Sequence, residues 1–391
     1  MPHLVSNEHC TGCTACAAAC PKGCITMTAD ENGFFYPVID EEKCISCGLC
    51  EKTCPVISPL KKNKLEPQCY VAYSRDGAMR LESSSGGVFT ELAKAVLEDG
   101  GAVFGAAYNE RFEVVHICAE SEADLAKLRG AKYAQSDLRG VFADVKAKLE
   151  QGRKVLFSGT PCQVGGLKAY LHRGYKNLLT VDFVCHSVPS PMAWKEYVKY
   201  RAQQDNGGEL PQSINLRSKK TGWSLYQYSN LFQYSDGRSY AAKSGDSLYM
   251  KLFVGGYINR ESCANCQFKG YKRGSDLTLG DFWGIWDLAP EMDDNKGTSV
   301  VLVHSSLGTE LLSRIRDMLV LKEVALEEAS RQNQAMLKSA IPNERRLSAL
   351  DLIKAGRIAD CELWFATPKL TFAGRLRRKI KMLLGKGNCS S

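Results

Sequence analysis

Three observations predict a small α+β unit joined to a larger α/β body with a largely parallel or mixed sheet. The front of the chain repeats itself after 34 residues, each copy built on four cysteines. Behind it, short apolar runs alternate with segments of helical period, the pattern of βα units. Two of those runs end in turn residues beside a cysteine, which places reactive side chains at strand carboxyl ends.

The first cysteine copy reads Cys10-x2-Cys13-x2-Cys16-x3-Cys20, followed by Pro21. The second reads Cys44-x2-Cys47-x2-Cys50-x3-Cys54, followed by Pro55. This is the bacterial ferredoxin spacing for two 4Fe–4S cubanes, in which the fourth cysteine of each run ligates the other cluster. One cluster should use Cys10, Cys13, Cys16 and Cys54, the other Cys44, Cys47, Cys50 and Cys20. The competing readings are disulfides or zinc, but zinc sites usually pair two CxxC units. Residues 1–58 are therefore expected to form an α+β ferredoxin-like domain. Within it, Cys24–Met27 reads as a strand, Asp30–Gly33 as a turn and Phe34–Ile39 as the return strand. Cys24 lies outside both runs and is not expected to be a ligand.

Residues 58–67 are a polar, proline-bounded linker. The body divides by sequence into 68–151, 152–325 and a helical basic tail, 326–391. Tyr70–Tyr73 reads as a strand. Ser83-Ser-Ser85-Gly86-Gly87 opens a helix over 88–97; serines and glycines there either cap the helix or let backbone N–H groups approach an anion. Ala102–Tyr108 is the next strand. Lys132-Tyr-Ala-Gln135-Ser136 is a polar stretch before a helix near 137–151. The strand Lys154–Phe157 feeds Ser158-Gly-Thr-Pro-Cys162-Gln and a helix starting near Val164. Leu178–Val184 is a buried strand ending in Cys185-His186-Ser187, with a helix around Trp194–Tyr200. Arg217–Trp223 is a basic loop, residues 225–234 are strand-like before a hairpin turn at Ser235–Gly237, and 245–258 look helical. Leu277–Leu279 and Val300–Val303 read as strands, with a long helix near 307–320. Near the end, Leu370, Leu376, Ile380, Leu383 and Leu384 recur among six basic residues from Arg375 to Lys386. That is a basic amphipathic helix, suited to an anionic membrane or a partner, or a solvated terminal helix.

A third cysteine set remains: Cys162, Cys185 and the pair Cys263-x2-Cys266. Strand carboxyl ends cluster along one sheet edge, so the first two can meet, and the CxxC can complete a four-thiolate site. A third cubane is favoured over zinc because the chain already carries electron-transfer centres. A nucleophilic cysteine helped by His186 is a weaker alternative.

Composition bounds the rest. The 391 residues are 44% apolar and 24% charged, ordinary for a globular chain. No apolar run reaches the length of a spanning helix, and the start lacks a signal-peptide pattern. The 17 cysteines place the chain in a reducing cytoplasm. The formal charge is +8, but a cubane core of charge 2+ held by four thiolates carries about two negative charges, and three would bring the chain near neutrality. The basic balance is thus no sign of nucleic-acid binding.

Five ordered motifs carry a resemblance: Ser83-Ser-Ser-Gly-Gly-Val-Phe, Lys132-Tyr-Ala-Gln-Ser, Leu156-Phe-Ser-Gly-Thr-Pro-Cys-Gln, Val181-Asp-Phe-Val-Cys-His-Ser-Val-Pro-Ser-Pro, and Cys263-x2-Cys266 with Ser275-Asp-Leu-Thr-Leu-Gly-Asp-Phe-Trp-Gly. Together they resemble the beta subunit family of coenzyme F-420 (8-hydroxy-5-deazaflavin) hydrogenases and dehydrogenases over about residues 1–305. Ser187 departs from the glycine common there. The resemblance implies an FAD-binding α/β body, iron–sulfur clusters, and exchange between a small-molecule hydride carrier and one-electron acceptors such as ferredoxin or a partner oxidoreductase. Under it, Ser85, Gly86 and Gly87 bear on a flavin or substrate phosphate. Lys132, Gln135 and Ser136 hydrogen-bond the cofactor, and Lys219, Lys220 and Trp223 hold an anionic, planar substrate. The alternative is an electron-transfer subunit with no substrate of its own; a zinc-stabilised structural protein is the third reading.

Overall fold

The structure, a computed structural model, describes residues 2–60, 66–224 and 227–365. The basic amphipathic segment expected near 370–386 lies outside the described residues.

Two copies of one short motif build the front of the chain. Helix α1 (Ala15–Ala19) and helix α2 (Leu49–Thr53) each follow a left-handed residue, Thr14 at φ 65° and Gly48 at φ 69°. Between them, β1 (Ile25–Ala29) and β2 (Phe35–Ile39) pair antiparallel, Ile25 opposite Ile39 and Ala29 opposite Phe35. Asp30 closes the hairpin by accepting from the N–H groups of Asn32 and Phe34.

The body is built on one eight-stranded sheet. Its first strands are β3 (Gln68–Ser74), β4 (Ala102–Tyr108) and β5 (Val114–Ala119). Helices α3 (Gly77–Glu82), α4 (Val88–Glu98) and α5 (Glu122–Leu128) connect or flank them, and α6 (Val141–Glu150) follows. Next come β6 (Val155–Gly159), α7 (Pro161–Leu171), β7 (Leu178–Phe183) and α8 (Pro191–Asn206). A separate antiparallel sheet holds β8 (Ser213–Ser218), β9 (Ser229–Gln233) and β10 (Ser239–Lys243), in the order β10-β9-β8. After α9 (Leu248–Val254) the chain returns to the large sheet with β11 (Leu277–Asp281), α10 (Ile285–Leu288), β12 (Ser299–Val303), α11 (Ser306–Arg314) and β13 (Leu319–Glu323). Helices α12 (Leu326–Arg331) and α13 (Arg346–Lys354) follow.

The strand order is β13-β3-β12-β11-β7-β6-β4-β5. Its centre, β4, β6, β7 and β11, is parallel; β5, β12, β3 and β13 add antiparallel pairs at the two sides. The sheet is thus mixed, and strands from 68–151 and from 152–325 interleave in it. Both faces are covered, one by Val88, Leu92 and Val96 of α4 with Leu312 of α11, the other by Phe142 and Val145 of α6 with Val164 and Leu167 of α7. Covering both faces explains why Val155-Leu-Phe157 and Val300-Val-Leu-Val303 read as continuous apolar runs.

Several expected boundaries move. The helix expected near 307–320 stops at Arg314, and the chain then forms the edge strand β13 against β3. The helix expected over 245–258 is only Leu248–Val254. Part of the expected basic loop, Arg217 and Ser218, is strand β8. Strand β5 and helices α3 and α5 had no reading at all; β5 carries His116 among its apolar residues, which blurs its alternation. Among the described residues no helix is long and apolar enough to cross a membrane.

Candidate redox site

The four parallel strands end along one edge, where open α/β sheets take their ligands. A cavity of about 520 Å³ lies there, lined by residues at the end of β6 and just past it (Ser158, Thr160, Cys162) and past β7 (Val184 to Pro189), with Asp281 from the end of β11. That size falls in the range of small-molecule sites, roughly 300–1,000 Å³. Ser83, Ser84, Ser85 and Gly87 close one side, and Lys132 to Ser136 another.

Helix α7 sets the position of Cys162. Thr160 and Gln163 form a capping box: the Thr160 hydroxyl accepts from Gln163 N–H, and Gln163 Oε1 accepts from Thr160 N–H at 2.8 Å. Pro161 supplies the first helical residue, so the helix starts three residues before the expected Val164. The cysteine therefore stands in the first turn, with Thr160 Oγ1 3.1 Å from its Sγ. Cys185 leaves the end of β7, and Cys263 and Cys266 belong to a short 3₁₀ turn, Glu261–Asn265, and its C-cap.

These four thiols come together. Burial pushes Cys162 well up, and the nearness of Cys266, Cys185 and Cys263 adds to it. Burial likewise raises Cys185 to about 12, with Cys263 and Cys266 adding, and Cys263 to about 11. The Lys269 ammonium opposes the rise at Cys185, and it donates to the Cys185 and Ala335 carbonyls. Half-buried thiols crowded this way are suited to act as ligands, because a bound metal core removes their protons outright.

The ferredoxin cysteines sort into two sets. Burial raises Cys13 to about 12, and Cys10 and Cys54 add to the rise. Cys16 is also pushed up by burial, with Cys13, Cys10 and Cys54 adding. Cys20, Cys44, Cys47 and Cys50 line one small pocket. The fourth cysteine of each run thus stands with the first three of the other. Cys24 also lines that pocket, its Sγ 3.3 Å from Cys20 Sγ. Among the described residues no three His, Cys, Asp or Glu side chains lie close enough to share a single ion; a cubane holds its thiolates further apart than that.

The third set and the Cys10 set are neighbours. One turn along α7 from Cys162 stands Gly166, where a Cβ would come within 2.9 Å of Cys13 Cβ and 3.0 Å of its Sγ. The absence of a side chain at Gly166 lets the ferredoxin loop rest on the helix backbone.

The expected flavin and substrate residues fall in different places. Ser85 and Gly87 line the cavity. Gly86 does not: its N–H donates to Ser299 Oγ at 2.9 Å, and a Cβ there would collide with the Ala72 carbonyl. Gly87 is the left-handed N-cap of α4, and no serine side chain caps that helix. Lys132 lines the cavity, its ammonium donating to the Lys127 and Arg129 carbonyls at 2.9 and 2.6 Å. Burial lowers its pKa to about 7. Gln135 accepts from Phe35 N–H and from Arg260, so it joins the body to the ferredoxin unit. Ser136 Oγ lies 2.6 Å from His116 Nδ1.

Lys219, Lys220 and Trp223 do not line the cavity. Lys219 donates to the Ser85 carbonyl at 2.6 Å and to the Arg80 carbonyl. Trp223 is buried, donates to the Ser84 carbonyl at 3.1 Å and stacks on Trp283 with ring centroids 4.9 Å apart. Lys220 is exposed.

Sequence reading missed His116, Asp281 and Arg217 as cavity residues. His116 Nε2 faces the Ser158 carbonyl at 3.0 Å and must donate to it, so Nδ1 accepts from Ser136. Burial lowers His116 to about 4, which keeps it neutral. Arg217 pairs with Asp281 at 2.8 Å. The signal for His116 was present as a lone polar residue in the apolar run Val114-Val-His-Ile.

The cavity also holds polar atoms without protein partners. His186 Nε2 and Ser187 Oγ are buried, face no hydrogen-bond partner, and belong to residues that line it. Buried polar groups are normally satisfied, so a ligand with acceptor and donor edges fits here. Four-thiolate sets beside a cavity of this size suit the clusters and flavin that the motifs imply.

Comparison with known proteins agrees with the motif reading. The model of the coenzyme F420 hydrogenase/dehydrogenase beta subunit matches in two parts, the N-terminal part over residues 69–143 and the C-terminal part over 152–329. A 4Fe-4S dicluster domain matches residues 9–57. The coenzyme F420-dependent sulfite reductase of Methanocaldococcus jannaschii is 27% identical over 351 residues, covering 86% of this chain and 50% of that one. One of the F(420)H(2) dehydrogenase subunits of Methanosarcina mazei is 27% identical over 179 residues, 42% of this chain and 49% of that one. The chain thus spans about half the length of these curated relatives. A chain of the F420-reducing hydrogenase complex from Methanosarcina barkeri, solved with xenon, aligns with a TM-score of 0.47 and 19% identity, over 78% of this chain and 91% of that chain. With its five motifs in order and both family parts matched, the chain belongs to the coenzyme F420 hydrogenase/dehydrogenase beta subunit family, joined to a 4Fe–4S dicluster domain.

Proposed function

We propose that the chain is an iron–sulfur flavoprotein oxidoreductase. It exchanges electrons between a small hydride carrier, a deazaflavin or another molecule of that chemistry, and ferredoxin-type clusters that face a redox partner. The single observation that carries this reading is contiguity: the cavity opens on Cys162, and α7 runs from Cys162 to the contact between Gly166 and Cys13.

In this reading Cys162, Cys185, Cys263 and Cys266 hold a third cubane beside an FAD site. Bound flavin and cubanes together supply exchange between two-electron and one-electron chemistry. The chain's own groups bind and orient. Lys132 offers a half-buried amine to an anionic edge, while His116, kept neutral, and Ser136 present a fixed hydrogen-bonded pair. Ser187 Oγ and His186 Nε2 take up polar ligand atoms. Lys219 and Trp223 act at one remove, holding the Ser84 and Ser85 carbonyls so that the loop before α4 keeps its shape. The cell interior is the compartment that suits these thiols.

A second reading makes the chain an electron-transfer subunit that serves a partner enzyme and turns over no substrate itself. The Methanosarcina mazei relative, named as a dehydrogenase subunit, supports it. Anaerobic purification with flavin, iron and sulfide quantified separates the two. The first reading expects FAD and about twelve irons per chain from three cubanes. Iron without flavin, and no reduction by any hydride donor, would leave the second.

A further inference from the structure

We propose that Arg260 is a built-in counter-ion. It clamps the Cys10 loop against the Cys263–Cys266 segment and balances the negative charge that thiolate-held clusters bring to both. Among the described residues four arginines are buried in the body: Arg80, Arg217, Arg260 and Arg273. Three have an aspartate: Asp294 at 2.6 Å from Arg80, Asp281 at 2.8 Å from Arg217, and Asp182 at 3.2 Å from Arg273. Arg260, 2% exposed, has no carboxylate within ion-pair distance among the described residues.

Its guanidinium is instead held by neutral groups. It donates to the Cys10 carbonyl at 2.7 Å, the Phe35 carbonyl at 3.0 Å and Gln135 Oε1 at 3.0 Å. The Tyr36 ring lies 4.1 Å below it. Carbonyls and ring faces orient a cation but do not neutralise it, and a buried charge without a counter-charge is costly. The missing anion has two natural sources, one on either side. Cys10 packs with Phe34 and Tyr36, the rings under the guanidinium. Cys263 N–H bonds back to the Arg260 carbonyl at 3.1 Å, so the arginine opens the short turn that carries that cysteine. A 2+ cubane with four thiolates carries about two negative charges, the complement this cation lacks.

The fit is tight on the ferredoxin side. A Cβ at Gly12 would collide with Gln135 and reach 3.0 Å from Arg260 Nη1, so the loop closes directly on the arginine. A fixed cation beside a cluster favours its more negative, reduced state and raises its potential. The Cys10 half of the inference needs only the dicluster domain; the Cys263 half rests on the third cluster proposed above.

The test uses the full chain, purified and reconstituted anaerobically with iron and sulfide. Wild type, Arg260→Gln and Arg260→Lys are compared by redox titration followed by electron paramagnetic resonance, each also in a Cys263→Ala/Cys266→Ala background. Arg260→Gln is expected to move at least one cubane couple to more negative potential, or to lose that cluster's iron. Arg260→Lys, which keeps the charge, should recover most of the shift or the iron. In the double-cysteine background the shift of the Cys10 couple should persist. Full iron with unmoved couples in Arg260→Gln would overturn the proposal, as would Arg260→Lys behaving like Arg260→Gln. If the double-cysteine change leaves the iron count at its wild-type value, the third cluster is absent, and the effect on the Cys10 couple is still read.

Discussion

Cys13 and Cys47 hold the same place in the two copies of the cysteine run, yet Cys13 is buried against α7 and Cys47 is exposed. The backbone is duplicated faithfully around them. Gly12 and Ser46 are both left-handed, as are Thr14 and Gly48. What differs is the company. Gly12 has no room for a Cβ because Gln135 and Arg260 crowd it, whereas Ser46 is exposed. Ala15 joins the core of the α/β body with Val164 and Leu167, while its counterpart Leu49 is half-buried outside that core and Ile45 is 58% exposed. Spacing therefore sets what a site can bind, and the surrounding fold sets where that site can send electrons. The Cys13 loop rests on the helix that carries Cys162, and the Cys47 loop faces solvent.

Breaking a ligand should have the largest effect and should separate the copies. Cys13→Ala and Cys47→Ala are each expected to lose about four irons, one cubane's worth. Only Cys13→Ala should also lower the melting temperature markedly, because it opens the joint with α7. Equal losses of stability would contradict the contrast in setting. Next in size, Gly166→Ala forces a methyl group onto Cys13 and is expected to cost about 1–3 kcal/mol, the usual range for overpacking. Ile45→Ser on the exposed copy should stay within about 0.5 kcal/mol. Anaerobic thermal denaturation of the loaded protein reads both.

A pH titration sharpens the cavity side of the comparison. Burial lowers Lys132 from its ordinary 10.5 to about 7. Between those values the folded chain binds fewer protons than the unfolded one, so this lysine makes stability rise with pH across that window. Below about 7 it is charged, and FAD should bind more tightly there than above. Lys132→Met should flatten that dependence, as read by flavin fluorescence on reconstitution. The smallest effect is expected at Lys220: exposed and outside the cavity, Lys220→Ala should change flavin content and reduction rate by no more than about twofold, as surface changes usually do.

Much of this arrangement could be read from the chain itself. The cysteine runs, the hairpin between them, and Cys162 and Cys185 near strand ends follow from spacing and from apolar runs closed by turn residues. Other features depend on contacts that no local pattern records. Leu319–Glu323 continues a helical-looking stretch but pairs with β3, which needs an edge partner. Lys219, Lys220 and Trp223 look like a binding loop, yet Trp223 is buried under Trp283 and Lys219 serves backbone carbonyls. Gly86 looks like part of an anion cradle and instead lets its loop pack against β3 and β12. Arg260 is one charge among many in the sequence; its lack of a carboxylate partner appears only when the fold encloses it.

On the proposed function, a third cluster stands next to the buried ferredoxin copy. Iron and sulfide counted per chain in the anaerobic wild type and in Cys263→Ala/Cys266→Ala test it most directly. About twelve irons are expected to fall to about eight, with the two ferredoxin clusters intact. About eight irons in both proteins would contradict it.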